Sequence, residues 1–163
     1  MLEDKEEVSK MVGIGVVKFS ALKNRRMKDS VFMWEKVLNF EGETSCYIQY
    51  TYARICSILR NAGSDKELDV DYSLLIDADS YSTIKYLAQF PEVVRYAADE
   101  YEPAIISKYL IDLVQSYNKF YHNCRVLDSE GKLRDSRIEI CKAVTIVVAS
   151  GMKLLGLECP ERM

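Results

Sequence analysis

Pro103-Ala104-Ile105-Ile106-Ser107-Lys108-Tyr109-Leu110-Ile111-Asp112-Leu113-Val114-Gln115-Ser116-Tyr117-Asn118-Lys119-Phe120-Tyr121-His122-Asn123-Cys124-Arg125-Val126 decides the fold. Proline at the start suits a first helical turn, where its missing N–H has no intrahelical partner to lose. Ile106, Leu110, Leu113, Tyr117 and Phe120 then recur at helical spacing and form one apolar stripe. Downstream, Leu133–Leu155 repeats the pattern through Ile138, Cys141, Thr145, Val148, Met152 and Leu155, and Gly156 ends it. Gly131 lies in the short connection, so the two longest helices are expected to be antiparallel neighbours.

Upstream of this pair, Thr44 is placed to cap a helix running to about Ala62, with Gly63 as its stop. Its core stripe is Ile48, Tyr52, Ile55 and Leu59. A polar surface loop is expected over Ser64–Asp71. Helical patterns resume at Tyr81–Phe90 and, with Pro91 read as a first-turn residue, at Glu92–Tyr101. Residues 3–12 form a short helix with an acidic first turn, which Gly13 and Gly15 interrupt. Val16-Val17-Lys18-Phe19 and Val31-Phe32-Met33-Trp34 read as short strands joined by the basic stretch Lys23–Lys28. The expected fold is mainly α, a helical bundle with a small α+β N-terminal extension.

A chain of 163 residues fits one domain with a short appendage. At 48% hydrophobic and 29% charged residues, its composition is that of a soluble globular protein, without the polarity of a disordered one. The net charge of −3 and pI near 5.3 argue against a surface that grips duplex DNA through many phosphates. The five cysteines form no CxxC pair and only one histidine is present, which excludes a zinc site and a disulfide framework. Reduced thiols in a cytoplasmic protein are expected. The charged start Leu2–Glu7 is no secretory signal, and no apolar run is long enough to span a bilayer.

Tyr47, Tyr50 and Arg54 fall at i, i+3 and i+7, so they share one helical face rotated away from the core stripe. Two aromatic rings beside a guanidinium suit unstacked RNA bases, which are read by stacking and by hydrogen bonds to base edges. The same residues could instead pack on a neighbouring helix, with Arg54 paired to an acid. Asn118, Tyr121 and Arg125 repeat the spacing on the long helix. His122 has no nucleophile motif beside it and reads as a structural residue. The basic Lys23–Lys28 run serves equally as a phosphate contact or a solvated connector. Gly13-Ile14-Gly15 is not a phosphate loop, and the acidic pairs Glu6-Glu7, Asp77/Asp79 and Asp99-Glu100 read as exposed faces or caps. Nothing assembles an active site: no catalytic residue, metal ligand or cofactor is expected.

Several segments resemble the C-terminal region of arginyl-tRNA synthetase. They are Met11-Val12-Gly13-Ile14-Gly15-Val16-Val17-Lys18-Phe19, Leu38-Asn39-Phe40-Glu41-Gly42-Glu43-Thr44, Tyr47–Arg54, Tyr121–Leu127 and the closing Glu158-Cys159-Pro160-Glu161-Arg162-Met163. The resemblance runs from about Leu2 to Met163. It implies a stem-contact-like linker over residues 1–40 and a DALR-type helical anticodon-binding domain over 41–163. The family's class I catalytic domain, with its HIGH and KMSKS signatures, lies upstream, and neither signature occurs here. The resemblance thus implies a ligase fragment without the ATP-dependent activity of its parent.

The implied partners are the anticodon loop of arginine tRNA and the missing catalytic domain, with no membrane and no DNA. By resemblance, Tyr47, Tyr50, Arg54, Tyr121 and Met163 match the positions set against the anticodon loop, and the helix spacing adds Asn118 and Arg125. The chain departs from its relatives at Ser45-Cys46, where Gly-Pro is usual, and at Ala21 and Met33, where an acid is usual. The first departure leaves the start of the Tyr47 helix open. An alternative of another class is a helical protein–protein interaction module that associates with itself through apolar surface.

Overall fold

The computed structural model of the chain describes residues 2–63 and 68–163. Its helices are α1 (Leu2–Leu22), α2 (Trp34–Val37), α3 (Ser45–Ala62), α4 (Ala78–Asp99), α5 (Ala104–Cys124) and α6 (Gly131–Leu154). Single 3-10 turns stand at Tyr72–Leu74 and Val126–Asp128. Part of the expected Ser64–Asp71 loop, residues 64–67, lies outside the described residues.

α5 is the central element. Its stripe Ile106, Leu110, Leu113, Tyr117 and Phe120 is buried among α3, α4 and α6. α6 contributes Ile138, Cys141, Val144, Val148 and Met152 to the same core, while Thr145 is only half-buried. Gly131 (φ 53°) and Gly156 (φ 69°) hold left-handed backbone at the two ends of α6, where a side chain would be strained.

α3 begins and ends where the capping residues place it. Thr44 Oγ1 accepts from Tyr47 N at 3.1 Å, and Gly63 closes the helix at φ 65°. The missing Gly-Pro therefore does not displace the helix start. Cys46 is instead buried with Val16 and Val37, where α1 and α2 meet α3.

The expected α+β extension is not present, and no strand occurs among the described residues. Val16–Phe19 belongs to α1, which runs unbroken through Gly13 and Gly15. The reason is packing. Gly15 is buried against Gln49 of α3, and a Cβ there would lie 3.0 Å from Gln49 Nε2. The glycine permits the helices to approach and does not end one, so burial of Val16 and Phe19 outweighs weak propensity. Val31–Met33 has no strand partner to take its backbone hydrogen bonds, and Trp34–Val37 forms a single helical turn anchored by Val37.

Pro91 does not open a new helix either; it lies inside α4. It withholds the hydrogen bond that the Leu87 carbonyl would receive, a loss on the order of 3 kcal/mol in a helix interior. Tyr86, Leu87, Phe90 and Val93 pack on the core from both sides of the proline. The Tyr109 ring stacks on Phe90 at 5.6 Å, and its hydroxyl donates to the Tyr86 carbonyl at 2.8 Å. These contacts hold the two halves in one helix.

Candidate nucleic-acid interface

The Thr44 cap sets the first turn of α3 and so the direction of Tyr47. Tyr47 is half-buried, and its hydroxyl accepts from Asn118 Nδ2 at 2.8 Å. Asn118 Nδ2 also lies 3.3 Å from the hydroxyl of Thr51, one turn further along α3. Since the Tyr47 oxygen is accepting, its own proton is free to point outward as a donor.

One turn beyond Asn118 on α5, the ring of Tyr121 lies nearly parallel to that of buried Tyr117, with centroids 6.2 Å apart and planes 24° apart. The Arg54 guanidinium sits 4.7 Å from the Tyr121 centroid. Arg54 is exposed and makes no ion pair among the described residues. Of the two arrangements open from spacing, the acid-paired one is not found. The cation instead joins α3 to α5 through a ring face.

Arg125 closes α5 in left-handed backbone (φ 43°) and is exposed. With Arg54, Tyr121, His122, Leu127 and Asp128 it lines a shallow depression of about 290 Å³. Tyr50 does not join this group. It is 49% exposed and turns to the other side, with its ring edge-on to Phe40 at 6.1 Å and 81°. Val8, Val12, Leu38, Phe40, Tyr50 and Met163 line a second, apolar concavity of about 640 Å³.

The structure thus divides the seven candidates between two groups, one built by α3 with α5 and the other by α3 with the C-terminal tail. Tyr47, Arg54, Asn118, Tyr121 and Arg125 form a polar aromatic patch, while Tyr50 and Met163 belong to an apolar hollow. Phe40, Leu38 and Val8 were not singled out as site residues, because they come from the connection after α2 and from α1 and follow no shared period. The underlying Tyr117 was legible only as a core position, and the supporting Thr51 lay outside the stripe expected for its helix.

Several of the remaining candidates have structural employment. Arg26 Nη1 donates to the carbonyls of Glu100 and Tyr101 at 2.9 and 2.7 Å, binding the end of α4, and Lys23 donates to the Glu43 carbonyl at 3.1 Å. Asp77 caps α4 through Ser80 N at 2.7 Å. Burial pushes the Asp77 carboxyl up, but the Cys124 thiol, the Ser80 donors and Arg137 outweigh it and hold the group below the usual carboxylate range. Cys124 in turn is pushed up to about 11, by burial first and then by that carboxylate. No cluster of metal-ligating side chains occurs among the described residues, and no helix there is long and apolar enough to cross a membrane.

The family model of the DALR anticodon binding domain matches residues 48–163, and the chain belongs to this family. The chain is 46% identical over 163 residues to an arginine–tRNA ligase of Halothermothrix orenii, covering 99% of this chain and 29% of that protein. It is 48% identical over 162 residues to arginine–tRNA ligase 1 of Bacillus cereus, covering 99% and 28%. Among solved structures, Thermus thermophilus arginyl-tRNA synthetase superimposes with a TM-score of 0.92 at 34% identity, over 98% of this chain and 28% of that one. The chain therefore spans under a third of the length of the relatives it matches. The match is to their anticodon-binding part, and the catalytic domain is absent from this chain.

Proposed function

We propose that this chain reads the anticodon loop of arginine tRNA with the aromatic face of α3 and α5. The observation that carries the reading is the pair of preset contacts, Asn118 on Tyr47 and Arg54 on Tyr121. Both side-chain pairs are formed in the structure, and contacts already made lower the entropic cost of binding. The Tyr47 hydroxyl and Asn118 address a base edge, while the Arg54 plane offers a stacking surface. Arg125 supplies a cation at the rim for a phosphate. Tyr50, Phe40 and Met163 offer an apolar seat for an adjoining base, and each stacked base contributes roughly 1–3 kcal/mol. At a net charge of −3, the affinity has to come from stacking and base contacts more than from phosphates.

Within this reading, residues 1–40 act as a stem-contact linker and 41–163 as the anticodon reader. The chain itself carries out no adenylation, and the ATP-dependent ligation of arginine belongs to a catalytic domain outside it. An ATP–pyrophosphate exchange assay that detected activity would overturn that statement. The central test is titration with an arginine anticodon stem-loop at low salt, beside one altered at the middle anticodon base. Binding of the first alone supports base reading; equal binding of both refutes it.

A second reading rests on a different observation. Val31, Phe32, Trp34 and Leu38 around α2 are exposed, with Val31 at 85%. Such a patch suits protein contact, either with a catalytic domain or with a second copy. Self-association predicts a sedimentation coefficient that rises with concentration, and a constant value excludes it.

A further inference from the structure

Beyond α6 the chain turns at Gly156 and continues along α1 and α3 to Met163. Its carbonyls are met by side chains of those two helices. Lys18 Nζ donates to the Gly156 carbonyl at 2.8 Å, Gln49 Nε2 to the Glu158 carbonyl at 2.8 Å, and Arg60 to the Glu161 carbonyl at 3.3 and 3.4 Å. Lys18 and Arg60 are exposed, where water competes for the same bonds. Gln49 is not: its exposure is 0%, and its Nε2 also reaches the Met11 carbonyl of α1 at 3.4 Å.

The other end of the amide is the telling part. Gln49 Oε1 is buried without a hydrogen-bond partner. An apolar side chain of similar length would fill the same space without leaving an acceptor stripped of water. The amide is therefore present for its donor end, which faces α1 and the tail together. Gly15 clears the room for it.

We propose that Gln49 is a positioning residue for the RNA site. Its amide clasps the tail at Glu158, so that Met163 is delivered to the apolar hollow beside Tyr50 and Phe40. The inference rests on the RNA-reading function above, but the clasp can be measured without RNA. Because Gln49 touches α1 as well as the tail, a shift of α1 is felt at Met163, and the coupling is reciprocal.

The test uses Gln49→Met, which keeps length and loses the donor, in protein labelled at the methionine methyls. In the native chain the Met163 methyl is expected to resonate away from its free-chain position, because the rings of Phe40 and Tyr50 line the hollow. In the variant it is expected to move to the free-chain position while the Met152 methyl, buried in the core, stays in place. An unmoved Met163 methyl overturns the clasp. If Gln49→Met loses the Met152 signal and so fails to fold, Gln49→Asn retains an amide too short to reach Glu158 and is read in the same way.

The link to function is then read with the anticodon stem-loop. Gln49→Met is expected to weaken binding about tenfold, the worth of one lost buried hydrogen bond's ordering. In a Met163→Ala background the same substitution is expected to change binding by less than about twofold. Additive losses in the double variant overturn the route through Met163. If the unaltered chain binds no stem-loop, the functional reading fails, and the methyl shift still decides the clasp.

Discussion

Gly13 and Gly15 lie two residues apart in α1, and substituting each by alanine should give opposite results. Alanine is better than glycine in a helix interior by about 0.8–1.0 kcal/mol. At Gly13 an added Cβ meets nothing within 4 Å, so Gly13→Ala should gain that amount. At Gly15 the new carbon would stand 3.0 Å from Gln49 Nε2, 3.3 Å from Oε1 and 3.4 Å from Cδ. Gln49 is fully buried and cannot swing aside; yielding means stretching its 2.8 Å bond to the Glu158 carbonyl. Leaving that buried pair unmade costs about 1–3 kcal/mol. Gly15→Ala should then range from neutral to about 2 kcal/mol destabilised, with a gap of about 1–3 kcal/mol between the variants. For a chain of this size each kcal/mol moves Tm by about 2–4 °C, so thermal unfolding followed by circular dichroism resolves the difference. Equal stabilisation of both variants would refute the close approach of α1 to Gln49. Loss of stability in both would refute the continuous α1.

Other outcomes follow from individual contacts. Asn118→Ala frees the Tyr47 hydroxyl and should weaken stem-loop binding about fivefold, as should Tyr47→Phe, while the two together lose little more than either alone; anisotropy titration reads all three. The logarithm of the binding constant should fall with the logarithm of salt at a slope of about −0.7, as for the one phosphate contact made by Arg125, and a slope several times steeper would contradict the stacking-led reading. The Asp77 carboxyl is held below its ordinary value, so its contribution to stability is fully present above about pH 4 and is lost as pH falls through the folded value. Urea midpoints of the native chain and Asp77→Asn should therefore converge on acidification, and Asp77→Ala should cost about 1 kcal/mol at neutral pH from the lost cap. Burial pushes Cys124 and Cys141 up to about 11 and Cys159 up to about 12, so these thiols stay protonated at pH 8 and should react with dithionitrobenzoate only after unfolding.

The helical core was legible because capping and period agreed. Thr44, Gly63, Pro103 and Gly156 each sit where the structure starts or stops a helix, and the α5 stripe is buried throughout. The errors fall where a residue's local preference was overruled by a contact distant in sequence. Gly15 reads as an interruption until Gln49, 34 positions away, is seen against it. Pro91 reads as a helix start until Phe90 and Tyr109 are seen stacked beside it. The site behaved likewise. Helix faces picked Tyr47, Arg54, Asn118 and Tyr121, but spacing along α3 could not tell that Arg54 leans toward Tyr121 of α5 while Tyr50 turns to Phe40.

That division bears on how an acidic chain can recognise a polyanion. A lysine-rich surface would attract any RNA, and its grip would carry no information about the bases. Here the exposed Arg54 guanidinium is held over an aromatic ring and forms no ion pair among the described residues. A guanidinium so placed presents a flat, charged plane, which favours an unstacked base over a phosphate that any duplex could offer. Asn118 does the same for Tyr47, spending its amide on holding a hydroxyl in place. If these contacts form the reading surface, a base that fits them loses little to their immobilisation, whereas one that does not must break the Asn118–Tyr47 or Arg54–Tyr121 contact to enter. Under the proposed reading, discrimination comes from the disruption that a wrong base imposes, and a modest number of cations is sufficient.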